Sequence, residues 1–473
     1  MIKAYITRSD PSTWPPQVDR TIPQKKETKT METNVFKISE IFKSNGQPEA
    51  TYVQRQNGKF ENSLIASLNA KGKICLLTGP SKTGKSTLYN RVLQDRNQEP
   101  LVIRCDGTIN ADEFWRKALE EIKFDRIAQL QKIKGSKTSG SGEIGGTIGW
   151  SWLAGLIGKV SIGVENSMSE TQIREKILAK PSPAHLVPLL QKHPIVLVVE
   201  DFHYLTSQVK KNIFQQWKTF VDSEISVIVV GTTHHAVDIA FANKDLVGRV
   251  ALIELSRWET SDLMKIVEKG FHYMDIPISK TVKKTIAEES VGLPIITQAA
   301  CQQIFLDQKI HQVSKGQQVP DFSKKDSYHS LHNVAISSYG QFQDIYERLT
   351  MGPRKKARKY DTYEIVLSAF SKDPQTFLLR RHEIDARLNE LPIPKQQVPP
   401  QNSINSMLRA LGNFQKKMGI ELLEWSEKVQ TLYILEPAFL FYLRWREPRE
   451  RPVTFEEMLT SISKLLSAFK TNK

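Results

Sequence analysis

The residues with the most evident chemistry are Leu76-Leu77-Thr78-Gly79-Pro80-Ser81-Lys82-Thr83-Gly84-Lys85-Ser86-Thr87. They match G-x-x-x-x-G-K-[ST], the spacing by which a main chain wraps a phosphate group. The glycines let the backbone close in, so that its N–H groups and the start of a following helix face a β-phosphate. Lys85 would reach the β and γ oxygens, and the Ser86 hydroxyl would serve a Mg²⁺ ion. Gly79, Pro80, Ser81, Lys82, Thr83, Gly84, Lys85, Ser86 and Thr87 are therefore the expected phosphate contacts.

A second stretch, Val196-Leu197-Val198-Val199-Glu200-Asp201, ends an apolar strand in two acids. One acid would enter the Mg²⁺ shell with Ser86, and the other would orient and deprotonate an attacking water. The residue types leave both assignments open. Two further positions follow from the order of strands. Thr232, at the end of an apolar run, would bring a hydroxyl near a γ-phosphate, and Arg249, at the start of another, would reach the γ-phosphate of a neighbouring subunit. Guanine recognition calls for Asn-Lys-x-Asp, whereas Asn243-Lys244 is followed at once by Asp245. ATP with Mg²⁺ is the expected ligand.

The elements that must position these groups are legible as alternating apolar runs and amphipathic stretches. Runs at 74–78, 101–105, 195–199, 225–230 and 250–255 predict five buried strands of a parallel α/β sheet. Asn110 with Glu113 predicts a capped helix whose Phe114, Ala118 and Ile122 share a face. Residues 134–165 are dense in Gly and Ser around Trp150, Trp152 and Leu153, which predicts a Gly-rich hairpin insertion; its apolar part is too short to cross a bilayer. After residue 256 helical patterns take over, starting at a Thr260 cap and stopping at Gly270. The expected division is a tail over 1–33, an α/β core over 34–256, a helical subdomain over 257–350, a basic linker over 351–360, a winged helix over 361–448 and a tail helix over 449–473.

In that winged helix, three helices (363–370, 381–391, 404–418) precede a hairpin of 420–424 and 431–435. Ile404, Leu408, Leu411 and Met418 form an apolar face of the third helix; Asn405, Arg409 and Lys416 fall opposite, where a DNA-reading helix would carry them. Contact with double-stranded DNA and contact with the protein's own core both remain open.

With these motifs in hand, residues 35–306 resemble the AAA+/STAND class of P-loop ATPases, with a C-terminal winged helix. Thr51-Tyr52-Val53-Gln54-Arg55, Glu61 and Leu64 are similar to the box that lies against adenine in that class. Glu200-Asp201-Phe202-His203-Tyr204-Leu205, Gly248-Arg249 and Gly292-Leu293-Pro294 follow in the same order. The resemblance implies an ATPase acting as a nucleotide-dependent switch; a DNA-binding loader or transposition-type regulator, and a scaffold that binds ATP without hydrolysing it, stay open as alternatives. It places Val53, Arg55 and Pro294 around the nucleotide and His203 in a structural role. It further implies a homo-oligomer in the ATP-bound state and a separate effector protein. Two departures stand out. The acids run Glu then Asp, the reverse of the usual order, and Ile295 stands where many members have Arg, which leans toward slow turnover.

Composition agrees with a folded, water-soluble chain: of 473 residues, 40% are hydrophobic and 25% charged. The net charge of +15 divides as +5 over 1–73, +3 over 74–350 and +7 over 351–473, so both ends are basic. Cys75, Cys105 and Cys301 are widely spaced, two of them in strand-like runs, as small core residues of a reducing compartment would be. The cytoplasm is the expected location, with no membrane contact.

Overall fold

The computed structural model describes residues 35–135, 148–231, 248–352, 360–391 and 394–448. Its centre is a five-stranded sheet of β2 (Ile74–Thr78), β3 (Glu99–Arg104), β4 (Ile195–Glu200), β5 (Val227–Val230) and β6 (Val250–Glu254). The strands lie in the order β3-β4-β5-β2-β6, and every neighbouring pair is parallel. β2 and β4 are buried at every residue, as strands covered on both faces must be. One face packs Trp115, Phe214, Trp217 and Phe220 into a large apolar cluster, and the other packs Leu88, Val92 and Leu64. The sequence reading of five parallel strands thus holds, within a residue or two at the ends.

Helix caps explain several boundaries. The Asn110 side chain accepts from the Glu113 N–H at 2.9 Å and starts the Ala111–Glu120 helix. Ser169 and Gln172 form a reciprocal capping box for Glu170–Ala179. The Glu170 carboxylate then accepts from the N–H groups of Trp150 at 2.7 Å and Ser151 at 3.1 Å, the positive end of the Trp150–Ile157 helix. This helix replaces the expected hairpin over the described part of the Gly-rich segment. Leu153 and Ala154 are fully buried, and Trp150 and Trp152 lie against Phe124. The apolar composition came from packing, not from an exposed loop. No helix among the described residues is long and apolar enough to cross a membrane.

The helix expected to start on a Thr260 cap and stop at Gly270 runs over Thr260–Tyr273, with Glu259 at the cap position and Gly270 in its interior. A side chain at Gly270 would collide with the Phe42 ring, so the glycine serves close packing. Phe42 belongs to an N-terminal segment that includes β1 (Val35–Lys37), paired antiparallel with β7 (Gln312–Ser314).

The chain after residue 360 forms helices Thr362–Ala369, Arg381–Asn389 and Gln401–Met418, with a small antiparallel sheet of β8 (Leu378–Arg380), β9 (Leu423–Ser426) and β10 (Thr431–Ile434) in the order β8-β10-β9. Ile404, Leu408 and Leu411 are buried, as their spacing predicts. Buried Gln415 pins helix to strand, donating to the Leu423 carbonyl at 2.6 Å and accepting from the Leu422 and Leu423 N–H groups at 3.0 Å. The final helix, Pro437–Trp445, is buried at every residue and packs on Lys324–Tyr339. The helices after residue 260 and this C-terminal unit share one continuous apolar cluster.

Replacing Gly270 by Ala puts a methyl group into the Phe42 ring. The expected loss is about 1–3 kcal/mol, measured as a lower midpoint in urea with an unchanged slope.

Candidate functional site

Because β2 and β4 run parallel, their C-terminal ends meet at one edge of the sheet, where ligands of open α/β folds bind. The loop after β2 turns through Gly79 (φ 145°), Lys82 (φ 63°) and Gly84 (φ 91°) before the Lys85–Asp95 helix begins. A side chain at Gly79 would strike the Leu255 carbonyl, so the loop lies tight against the end of β6. The Thr83 hydroxyl donates to the Pro80 carbonyl at 2.8 Å, and Trp258 Nε1 donates to the Thr83 carbonyl at 2.9 Å. Loop and helix start together form a cradle of backbone N–H groups.

Lys85 Nζ donates to the carbonyls of Gly79 at 2.9 Å and Pro80 at 2.7 Å. Burial holds its pKa down at about 8 against an ordinary 10.5; Asp201, Glu436 and Glu200 pull the other way. The ammonium is thus short of counter-charge and suited to an anionic ligand. Ser86 Oγ donates to Glu200 Oε1 at 2.6 Å, and Tyr89 OH donates to the same oxygen at 3.0 Å. Arg104, directly opposite Glu200 in the β3–β4 register, donates from Nε to Oε2 at 3.2 Å. Asp201 begins the next turn at φ 58°, facing Lys85 and His203 electrostatically.

The donor set fits ATP and Mg²⁺. Ser86 and Glu200 offer hard oxygens side by side, as Mg²⁺ requires. The glycine cradle and Lys85 suit a polyphosphate.

The other expected residues divide into those gathered here and those elsewhere. Val53 is buried beside Leu263, Ile266 and Trp258. Arg55 is also buried. Its guanidinium lies 4.7 Å from the Phe60 ring centre and 4.9 Å from that of Trp258, and donates to the carbonyls of Ser256 at 2.8 Å and Arg257 at 3.0 Å. Burial lowers its pKa to about 10. Pro294 opens the Pro294–Asp307 helix, just after Gly292, whose carbonyl accepts from the Trp258 N–H at 3.1 Å. Trp258 therefore ties these residues to the phosphate loop, a role that its sequence context did not signal. Thr232 lies outside the described residues. Arg249 is exposed at the start of β6, the opposite edge of the sheet, roughly 20 Å along the strand direction from the loop. Asn405 accepts from Arg381 Nε at 2.7 Å, Arg409 Nε donates to Glu427 at 2.9 Å, and Lys416 is exposed in the last turn of its helix.

One partner of the loop comes from far along the chain. Lys82 Nζ lies 3.3 Å from Glu436 Oε1 and 5.3 Å from the Tyr339 ring centre. Glu436 is the cap of Pro437–Trp445, and its carboxylate also accepts from the Ala438 N–H at 3.2 Å. The sequence holds no signal for this contact across 354 positions.

Residues 69–239 match the family model of the AAA domain. No curated protein matches the chain. Among solved structures, a Walker-type ATPase of Pyrococcus abyssi is similar at 14% identity and a TM-score of 0.45, covering 84% of this chain and 100% of that one. The RuvB Holliday junction branch migration motor of Thermotoga maritima is similar at 13% and 0.37, over 85% and 100%. Cdc6p from Pyrobaculum aerophilum is similar at 12% and 0.39, over 87% and 99%.

The lowered pKa of Lys85 sets a pH dependence. Between about 8 and 10.5 the folded protein sheds a proton that the unfolded chain keeps, and a bound polyphosphate would draw it back. Nucleotide affinity is expected to hold steady below pH 8 and to fall above it, by at most about tenfold per pH unit. Equilibrium titration with a fluorescent ATP analogue across that range reads this directly.

Proposed function

We propose that this chain, built around the AAA-type P-loop module of residues 69–239, is an ATP-dependent switch whose nucleotide decides whether its C-terminal unit stays docked. ATP would bind at residues 79–87 with Val53, Arg55 and Pro294 around the nucleoside, and turnover would be slow. The carrying observation is the Lys82–Glu436 pair, which sets an acid of residues 361–448 against the phosphate loop. A carboxylate and a polyphosphate beside Lys82 and Lys85 repel each other, so Lys82 would exchange one for the other. We read residues 361–448 as a winged helix acting as a latch on the core.

The hydrogen bonds support a division of labour between the acids. Glu200 shares its oxygen with Ser86, which favours it for the Mg²⁺ shell, and leaves Asp201, whose charge favours the protonated Lys85, as the base for water. Mg²⁺, when bound, would neutralise charge on the β and γ oxygens. Arg249 lies too far from its own loop to serve it and would act on a second copy, in a homo-oligomer formed with ATP. Thr232 would complete the γ-phosphate contacts. Asn405 and Arg409 already have partners within their own unit, which favours a protein-contact role over groove reading of double-stranded DNA. A location in the cytoplasm and a separate effector protein belong to the same reading.

Lys85→Ala is expected to abolish nucleotide binding. Asp201→Asn should keep binding and lose at least about 100-fold in hydrolysis. Glu436→Gln retains the helix cap but removes the charge, so it should bind ATP roughly 3–10-fold more tightly. Steady-state turnover and equilibrium binding check all three, and an unchanged affinity in Glu436→Gln would contradict the latch.

A second expectation concerns assembly. Arg249→Ala should leave ATP affinity intact and lower turnover by about 10³-fold if the arginine acts across subunits. Light scattering alongside the assay separates loss of assembly from loss of the finger, and steep salt-sensitive stimulation by DNA would favour the alternative of a DNA loader.

A further inference from the structure

Glu200 differs from the shorter acid expected at its place by one methylene, hence by one more free torsion. A longer carboxylate reaches further but points less reliably, because each extra rotor costs entropy when it is fixed. Its surroundings answer that problem. Tyr89 lies three residues after Ser86, on the same face of the Lys85–Asp95 helix, and both hydroxyls donate to Glu200 Oε1, at 2.6 Å from Ser86 and 3.0 Å from Tyr89. Tyr89 is 2% exposed and Glu200 9%, so the contact is shielded from water. Burial and the neighbouring carboxylate both hold the phenol firmly protonated, with Glu200 as acceptor. Arg104 takes the other oxygen, but its side chain is 76% exposed and free to leave. The buried restraint is therefore the Tyr89 hydroxyl, because Ser86 itself is exposed and its bond only partly shielded.

We infer that Tyr89 is a positioning residue for Mg²⁺ binding: its hydroxyl fixes the Glu200 carboxylate so that Glu200 and the Ser86 oxygen present one prearranged metal site. The inference rests on the reading of Glu200 as the Mg²⁺-shell acid. Ser86 spends its proton on Glu200 and keeps its lone pairs for the metal. Without the phenol hydroxyl, Glu200 would retain the Ser86 bond and swing about it. Removal of such an orienting partner behind a metal ligand ordinarily costs 10–100-fold in metal affinity.

The test is the Mg²⁺ concentration needed for half-maximal binding of a non-hydrolysable fluorescent ATP analogue, with its metal-free affinity measured in EDTA. Tyr89→Phe keeps the ring in the core and is expected to raise the Mg²⁺ midpoint by about tenfold while leaving the metal-free affinity unchanged. Glu200→Asp shortens the reach to Tyr89, so adding Tyr89→Phe to that variant should change the midpoint no further. An unchanged midpoint in Tyr89→Phe, or an equal loss with and without Mg²⁺, would overturn the inference. Glu200→Gln separates the two levels. A normal midpoint in that variant removes Glu200 from the metal site and the role of Tyr89 with it. A raised midpoint in Glu200→Gln beside a normal one in Tyr89→Phe overturns the Tyr89 role alone.

Discussion

The constraint on which the site depends is the parallel register of β2 with β5 and β6, and of β4 with β3 and β5. Parallel strands bring all their C-terminal ends to one edge, so the loop after Thr78 and the acids after Val199 converge although Thr78 and Glu200 are 122 positions apart. The same register sets Arg104 beside Glu200. It also carries Arg249 to the far edge, away from the loop after β2. Were any one strand antiparallel, its contribution would leave the edge.

A second layer of order comes from charge buried among apolar groups. Arg444, wholly buried in the final helix, pairs with Glu289 at 2.9 Å and reaches Asp373 at 3.0 Å. Arg257 donates to the Gln375 carbonyl at 3.1 Å and lies 4.6 Å from the Phe377 ring centre. Losing one partner of such a pair costs about 3–5 kcal/mol, because the remaining charge is stranded. These contacts join residues 361–448 to the helices before them and hold Glu436 at a defined place beside Lys82. The ion pair at the phosphate loop is itself only partly buried and correspondingly weaker. A strongly fixed scaffold thus presents a weak contact at the loop after β2.

Legibility followed the range of the physics involved. The glycine spacing from Gly79 to Gly84 is local, and the structure realises it as a tight loop with Lys85 and Ser86 at a helix start. Strand positions were readable because strands covered on both faces must be apolar throughout. Gly270 misled, since a glycine that ends a helix and one that admits a neighbouring ring look the same in one dimension. The Gly-rich stretch misled similarly: Leu153 and Ala154 are core residues, and only their packing partners reveal it. Tyr89 and Trp258 carry no local signal of their roles, since their polar atoms meet Glu200 and Thr83 only in the folded chain.

The class of fold, the glycine-lysine loop after β2 and the pair of acids ending β4 are all written in the amino-acid order, because each follows from steric and hydrogen-bonding rules that act over a few residues. Which acid stands beside Ser86 was decided only by the tertiary structure, through the direction in which β4 ends and the turn at Asp201. So was the meeting of Lys82 with Glu436. A pair of opposite charges hundreds of residues apart has no signature in composition or period; it exists because one apolar core fixes where both backbones lie.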